Sequence, residues 1–368
     1  MRRLIICLLA LVISAALPAR AFTVTEVSRV HVRELQRLVG AGTFIVDVSS
    51  TSVAAEKGEI FLLAREFNTR KLHWFIFDLA ARRVLKQGSC PFVGFSAMAV
   101  SPDARRAMVF STFPVEAYAL QVDTGTWTRI HENPRGAGLS ILGVSPLAWV
   151  SRTKACALLD ERDAEHYAVG TCVTSLPPVE AVVSLATLKR LALRAVYKSE
   201  QRPADVQADV EEIRFGESQS LLYTFKTLNQ KTGRFVDHLL RFDAAARVTP
   251  IDTVEGELFP LDFDPAAQRA FYRRITRGLA SPEVVLYDHG KKTSVLRSKA
   301  LVGGFLDDAM IGVSAVSGEG LQIFVGRLGR PMTRVFATPT PYATVFLRSA
   351  PMFALQSSIE LRLVRVDP

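Results

Sequence analysis

Apolar and polar residues alternate over short runs along most of the chain, and four of these runs end the same way. Trp74 to Asp78, Tyr118 to Asp123, Leu239 to Asp243 and Val285 to Asp288 each carry an alternating strand pattern into an Asp. Small or polar residues follow, such as Thr124-Gly125 or His289-Gly290, and a second alternating run resumes, as in Thr126 to Ile130 and Thr293 to Leu296. Alternation with period two turns one side of a strand inward, and an Asp at the turn can accept bonds from amides two residues on. Each unit therefore predicts a β-hairpin with Asp78, Asp123, Asp243 or Asp288 at its turn. The steps from Asp78 to Asp123 and from Asp243 to Asp288 are both 45 residues.

A second motif precedes the hairpin. Val100 to Phe110, through Ser101, Pro102 and Asp103, and Phe263 to Tyr272, through Asp264 and Pro265, both read as strand end, Pro-containing turn, basic residue and apolar strand. Val144-Ser145-Pro146 and Phe215 to Tyr223 look like weaker copies. About four short strands recurring every 40 to 45 residues is the sequence form of a β-propeller blade. The expected fold is all-β: a propeller of four-stranded antiparallel sheets, seven by best count with six to eight open. Blades fall near 42–87, 95–131, 141–186, 209–252, 257–298, 302–337 and 340–367. Ring closure is expected from Thr43 to Val46 pairing with the run from Ile359 to Val364. A β-sandwich or two smaller β domains is the competing architecture. Residues 187–208 break the pattern and read either as one amphipathic helix or as a strand with a polar loop.

The segment from Ser101 to Arg106 with its following apolar strand resembles the WD40-like (PD40) repeat of TolB and of the propellers of prolyl oligopeptidases. That family typically has Gly where Ala104 stands, and the copy at Asp264 is degenerate. The resemblance identifies a blade, and by analogy implies partner binding near the outer membrane.

Composition adds the compartment. Arg2 and Arg3, the apolar run Leu4 to Leu17, and Ala19-Arg20-Ala21 form the pattern of a cleaved secretory signal over 1–21. Residues 22–41 are then a lead-in and 42–368 a single propeller domain. The whole chain of 368 residues has a formal charge of +9. Removing 1–21 leaves 42 basic and 36 acidic residues, thinly spread, with no tail of the kind that binds nucleic acid. No apolar run after Ala21 reaches membrane-spanning length. These features predict a Sec-exported, periplasmic protein, with the extracellular space as the alternative.

Local catalytic signatures are absent. Gly94 to Met98 and Gly312 to Val316 each lack the second glycine of a serine-hydrolase elbow, and the glycines near Gly318 and Gly326 precede no phosphate-loop lysine. Six single histidines show no zinc spacing, so no metal or other cofactor is expected. Asp307-Asp308, Glu211-Glu212 and Asp262 with Asp264 read as turn or edge acids unless the fold gathers them at an axis. Trp74, Trp127 and Trp149 read as packing residues. Cys156 and Cys172, expected on neighbouring strands, are candidates for a disulfide in an oxidising compartment, or for two core thiols; Cys90 reads as an inert buried thiol. The expected function is non-catalytic binding of a protein or envelope component through one axial face. The alternative is a propeller enzyme, such as a lactonase, lyase or dehydrogenase, with its site assembled from several blades at the channel.

Overall fold

A computed structural model describes residues 22–40, 43–54, 56–113, 116–132, 147–149, 155–160, 167–173, 179–199, 203–216, 220–264, 266, 268–279, 281–347 and 351–367. The chain opens with β1 (Thr23–His31) and a helix α1 (Val32–Gly40). The first sheet is β2 (Phe44–Val53), β3 (Glu59–Glu66), β4 (Leu72–Asp78) and β5 (Arg83–Ser89), and the second is β6 (Gly94–Val100), β7 (Arg106–Phe113), β8 (Glu116–Gln121) and β9 (Thr126–Glu132). The third comprises β10 (Leu147–Trp149), β11 (Ala155–Asp160), β12 (Tyr167–Val173) and β13 (Val179–Ser184), after which comes α2 (Leu185–Tyr197). The fourth is β14 (Val206–Phe215), β15 (Leu221–Asn229), β16 (Arg234–Phe242) and β17 (Val248–Val254). The fifth is β18 (Gly256–Asp264), β19 (Arg269–Thr276), β20 (Glu283–Asp288) and β21 (Lys291–Arg297), and the sixth is β22 (Ala300–Phe305), β23 (Met310–Ser317), β24 (Gly320–Arg327) and β25 (Thr333–Thr338). The last sheet joins β26 (Ala343–Leu347), β27 (Met352–Gln356) and β28 (Glu360–Asp367) to β1.

Among the described residues the strands thus form seven four-stranded antiparallel meanders, the architecture of a seven-bladed β-propeller. First strands of successive sheets touch around the axis, as β2 with β6, β6 with β10, β14 with β18, β18 with β22 and β22 with β26. Apolar residues from facing sheets fill the wedges between them: Trp74 and Ile76 meet Val109 and Leu120, and Leu239 meets Tyr272 and Val285. Both helices occupy connections between one sheet and the next. Leu35 and Val39 of α1 pack between the last and first sheets, and Leu188 and Ala192 of α2 pack on the fourth. The helical reading of residues 187–208 is therefore the one realised, over Leu185–Tyr197.

Ring closure differs from the expectation. Glu360–Asp367 pairs with Thr23–His31, in register from His31 opposite Glu360 to Thr23 opposite Asp367, while Phe44–Val53 is the first strand of the first sheet. The lead-in at 22–41 is thus partly the outermost strand of the last blade. A strand that completes a sheet from the far end of the chain looks, in sequence, like any amphipathic run ahead of the repeats.

At three junctions between blades the outermost strand is also fastened to the third-to-fourth-strand hairpin of the next sheet. Ser28 Oγ donates to the Leu79 carbonyl (2.7 Å) and Arg82 Nη2 to the Arg29 carbonyl (3.1 Å). Lys86 Nζ reaches Asp123 Oδ1 (2.5 Å), and Lys292 Nζ reaches Asp252 Oδ1 (2.5 Å).

Candidate functional site

The meander has two ends. First-to-second and third-to-fourth turns lie at one, the hairpin end; second-to-third turns and sheet-to-sheet connections lie at the other, the link end. All the described repeat-motif residues fall at the hairpin end, where most act within their own turns. Asp78 Oδ1 accepts the amides of Ala80 and Ala81 (2.9 Å each), and Asp243 Oδ1 those of Ala245 (3.0 Å) and Arg247 (3.1 Å). Ser101 is buried; its hydroxyl donates to Asp103 (2.7 Å) and accepts the Arg106 amide (2.9 Å). Asp103 also accepts the Arg105 amide (3.1 Å), and the Pro102 carbonyl accepts the Glu56 amide of the first sheet (2.9 Å). Ala104, where the resembling repeat has Gly, takes a left-handed backbone with φ of 58°. Asp123 turns instead to Lys86, and Asp288 binds Arg269 Nε (3.2 Å) and His289 Nδ1 (2.7 Å). Asp264 ends β18 opposite Arg269. Pro265 lies outside the described residues.

A cavity of about 190 Å³ opens at this end, lined by Ser220, Arg241, Asp243 and Gln268. Its carboxylate is committed, because Asp243 Oδ2 also holds Arg247 Nε at 3.1 Å.

The link end has a different character. Phe67, Leu279 and Ile359, at second-to-third turns, are 65%, 55% and 61% exposed. Val93 and Leu38 on connections, Phe235 at the start of β16 and Val316 near the end of β23 are also exposed. The remaining exposed large apolar residues are Val27 and Leu85 on outermost strands and Val302 and Val345 on innermost strands. Among the described residues the hairpin end has none. A single exposed apolar residue is ordinary, but seven gathered at one end of a ring is a patterned surface.

Inside the ring, ionisable residues are unevenly placed. The innermost strands β6, β10, β22 and β26 carry none, whereas β14 bears Asp209, Glu211, Glu212 and Arg214 and β18 bears Glu257, Asp262 and Asp264. Bulges between Val210 and Ile213 and between Pro260 and Asp262 interrupt the two strands there. Asp262 is structural: Oδ2 accepts the Phe305 amide of the next sheet (2.8 Å). Asp237, on β16 behind this wall, is almost wholly buried; Oδ2 accepts the Leu258 amide of the fifth sheet (3.0 Å) and Oδ1 has no hydrogen-bond partner among the described residues. Burial raises its pKa to about 6, against the Leu258 bond and the Lys226 charge. Lys226 pairs with Glu211 (3.0 Å) and lies 5.8 Å from the Phe235 ring centroid. Burial also pushes the Glu212 carboxyl up. Next to it Arg273 is spent on the Phe259 ring (4.0 Å) and the Ala300 carbonyl (2.5 Å). Sequence reading singled out Glu211-Glu212 but missed Asp237, whose only signal is a polar Asp-His pair inside an apolar strand.

His238 bonds Thr253 (3.1 Å) and Thr227 (3.4 Å), and burial lowers its pKa to about 4, so it is a neutral packing residue at pH 7. Cys90 is a free thiol that burial pushes well up. Trp74 is buried and Trp127 packs on Phe92. Among the described residues no three His, Cys, Asp or Glu side chains converge as a metal would require. None of the helices described is long and apolar enough to cross a membrane.

No family model matches the chain, and no curated protein does. Solved structures do. The acylaminoacyl peptidase of Pyrococcus horikoshii is 8% identical over 88% of this chain and 50% of its own, with a TM-score of 0.51. The β-propeller domain of the Trilobed protease from Pyrococcus furiosus is 8% identical over 86% of this chain and 89% of that domain (TM-score 0.49). A prolyl endopeptidase is 10% identical over 88% and 47% (TM-score 0.49). The chain spans about half the length of the two peptidases. At this identity the likeness is one of fold, a β-propeller, and carries no activity across.

Proposed function

We propose that this chain is an exported, periplasmic β-propeller that binds a protein or envelope component through the link end of the ring and performs no catalysis there. The observation that carries the reading is that, among the described residues, seven of the eleven exposed large apolar residues, Phe67, Leu279 and Ile359 among them, lie at that end and none at the hairpin end. Side chains of this kind gain from burial against a partner, at roughly 25 cal/mol per Å² covered. The leader-like pattern of 1–21 supports export, and the resemblance of Ser101 to Arg106 to the PD40 repeat supports a binding role. The hairpin end, by contrast, spends acids such as Asp78, Asp243 and Asp103 on its own turns and Asp123 and Asp288 on ion pairs.

Photo-crosslinking residues introduced singly at Phe67, Leu279, Asp103 and Asp307 in the exported protein test this. Adducts from Phe67 and Leu279 but not from the other two support the reading. Adducts confined to Asp103 and Asp307, or none from any position, count against it.

A further inference from the structure

The cavity of about 190 Å³ at the hairpin end lies where the fourth blade meets the fifth. Three separate pieces of chain build it. Ser220 comes from the turn ahead of β15, Arg241 and Asp243 from the end of β16, and Gln268 from the turn ahead of β19 in the next blade. Strand alternation puts Arg241 there. Leu239, two residues back on the same side of β16, packs against Tyr272 and Val285 between the two blades, and Leu222, opposite Arg241, belongs to the same cluster.

The donors of this cavity are unused and its acid is not. Asp243 Oδ1 accepts the amides of Ala245 (3.0 Å) and Arg247 (3.1 Å), and Oδ2 accepts Arg247 Nε (3.1 Å). Against the cost of burial, these partners hold its carboxyl below the ordinary range, so Asp243 stays ionised and its charge is answered by Arg247. Arg241 has no ion pair or hydrogen bond among the described residues. Arg269, at the mouth of the next junction, shows what a fixed arginine looks like: Asp288 (3.2 Å) and the Asp308 carbonyl of the sixth sheet (3.0 Å) hold it. Ser220 is 5% exposed, and its hydroxyl has no partner among the described residues. The Gln268 side-chain amide has none either, although its backbone carbonyl accepts the His289 amide (3.4 Å). Buried hydroxyls are ordinarily bonded, so a buried serine and a free guanidinium lining one void mark a place where an acceptor is missing.

We propose that this cavity binds a small hydroxylated carboxylate, its carboxylate on the Arg241 guanidinium and the Ser220 hydroxyl and its body on Gln268. A guanidinium meets a planar carboxylate through two parallel bonds, which a single charge suffices to drive. The ionised Asp243 alongside disfavours a doubly charged anion such as phosphate. At roughly 30 Å³ per water the void has room for about six waters, so the ligand has a body as well as a charged head. The cavity is at the opposite end of the ring from the exposed apolar residues, and binding here does not depend on binding there.

Calorimetric titration of the mature protein at pH 7.5 with gluconate, its neutral amide gluconamide and inorganic phosphate tests it. Gluconate is expected to bind about tenfold more tightly than either of the others. Arg241→Gln should lose about tenfold for gluconate, and Ser220→Ala, which keeps the charge, about threefold. Arg330→Gln, which removes an exposed arginine from the hairpin end of the sixth blade, should bind as wild type. Circular dichroism melts confirm that the variants fold. Equal binding of gluconate and gluconamide, phosphate binding as tight as gluconate, no saturable gluconate binding, or undiminished binding by folded Arg241→Gln or Ser220→Ala would overturn the assignment.

Discussion

Arg29 and Glu360, 331 residues apart in the chain, close the ring through a 2.7 Å contact between Arg29 Nε and a carboxylate oxygen of Glu360. Glu360 is nearly buried, and Arg362 Nε (2.7 Å) and the Tyr342 hydroxyl hold its other oxygen. Opposed by the cost of burial, these donors lower its pKa from 4.5 to about 2.

Removing that carboxylate leaves Tyr342 and Arg362 facing an empty acceptor. Glu360→Ala is expected to cost about 2 kcal/mol in urea denaturation. The pH dependence has a defined sign. The unfolded chain binds the Glu360 proton more readily than the folded one, so this contribution is complete above about pH 4.5 and is lost as pH falls towards 2. The stability difference between wild type and Glu360→Ala should shrink across that window, and a difference constant from pH 6 to 2.5 would contradict it.

Asp237 has the opposite linkage. Its folded pKa, raised to about 6, means that the folded state holds the proton longer, so stability is lost as pH rises from its ordinary 3.8 through 6. Asp237→Asn, which can still accept the Leu258 amide, is expected to be about 2 kcal/mol more stable than wild type at pH 7.5 and close to equal at pH 3.5. Chemical denaturation at the two pH values checks this.

Between the fourth and fifth blades Asp252 collects Tyr272 Oη (2.7 Å), Lys292 Nζ (2.5 Å) and Arg274 Nη1 (3.3 Å). Its pKa is held below the ordinary carboxylate value by these partners. Asp252→Ala strands a buried hydroxyl and two cations, and is expected to cost about 3 kcal/mol. Lys292→Ala removes only a half-exposed partner and should cost under about 1 kcal/mol. Thermal melts of the two variants distinguish them.

Cys156 and Cys172 occupy directly opposed positions in the antiparallel register of β11 and β12. Opposed residues in such a ladder have Cα atoms about 4.5–5.5 Å apart, within the range that a disulfide spans. In protein exported to an oxidising compartment we expect this pair to be bridged, leaving Cys90 as the one thiol of the mature chain that titrates in denaturant. Three titratable thiols before reduction would contradict it.

The repeat was legible because a blade is a local object. The third-to-fourth-strand hairpins at Asp78, Asp123, Asp243 and Asp288 show the repeat through their recurring Asp turns, although the third strands themselves are buried on both faces, as Trp74 to Phe77 are, rather than alternating. Closure was not legible, since nothing near Thr23–His31 records that its partner is Glu360–Asp367. The candidate sites were hidden for the same reason. Phe67, Leu279 and Ile359 come to the same end only when the ring gathers three second-to-third turns there, and Asp237 meets the Leu258 amide only across two blades. The sequence supplied the acids of β14 but not the inequality between that wall and the apolar strands around it.

The most direct test of the account is the affinity of the protein for the envelope component crosslinked from the link end, measured for wild type, for Phe67→Ser/Leu279→Ser, and for Asp103→Asn/Asp307→Asn. Loss of at least about tenfold in the first variant with no change in the second is the predicted result. Equal affinity of wild type and Phe67→Ser/Leu279→Ser, with both folded, would contradict binding through this end of the ring.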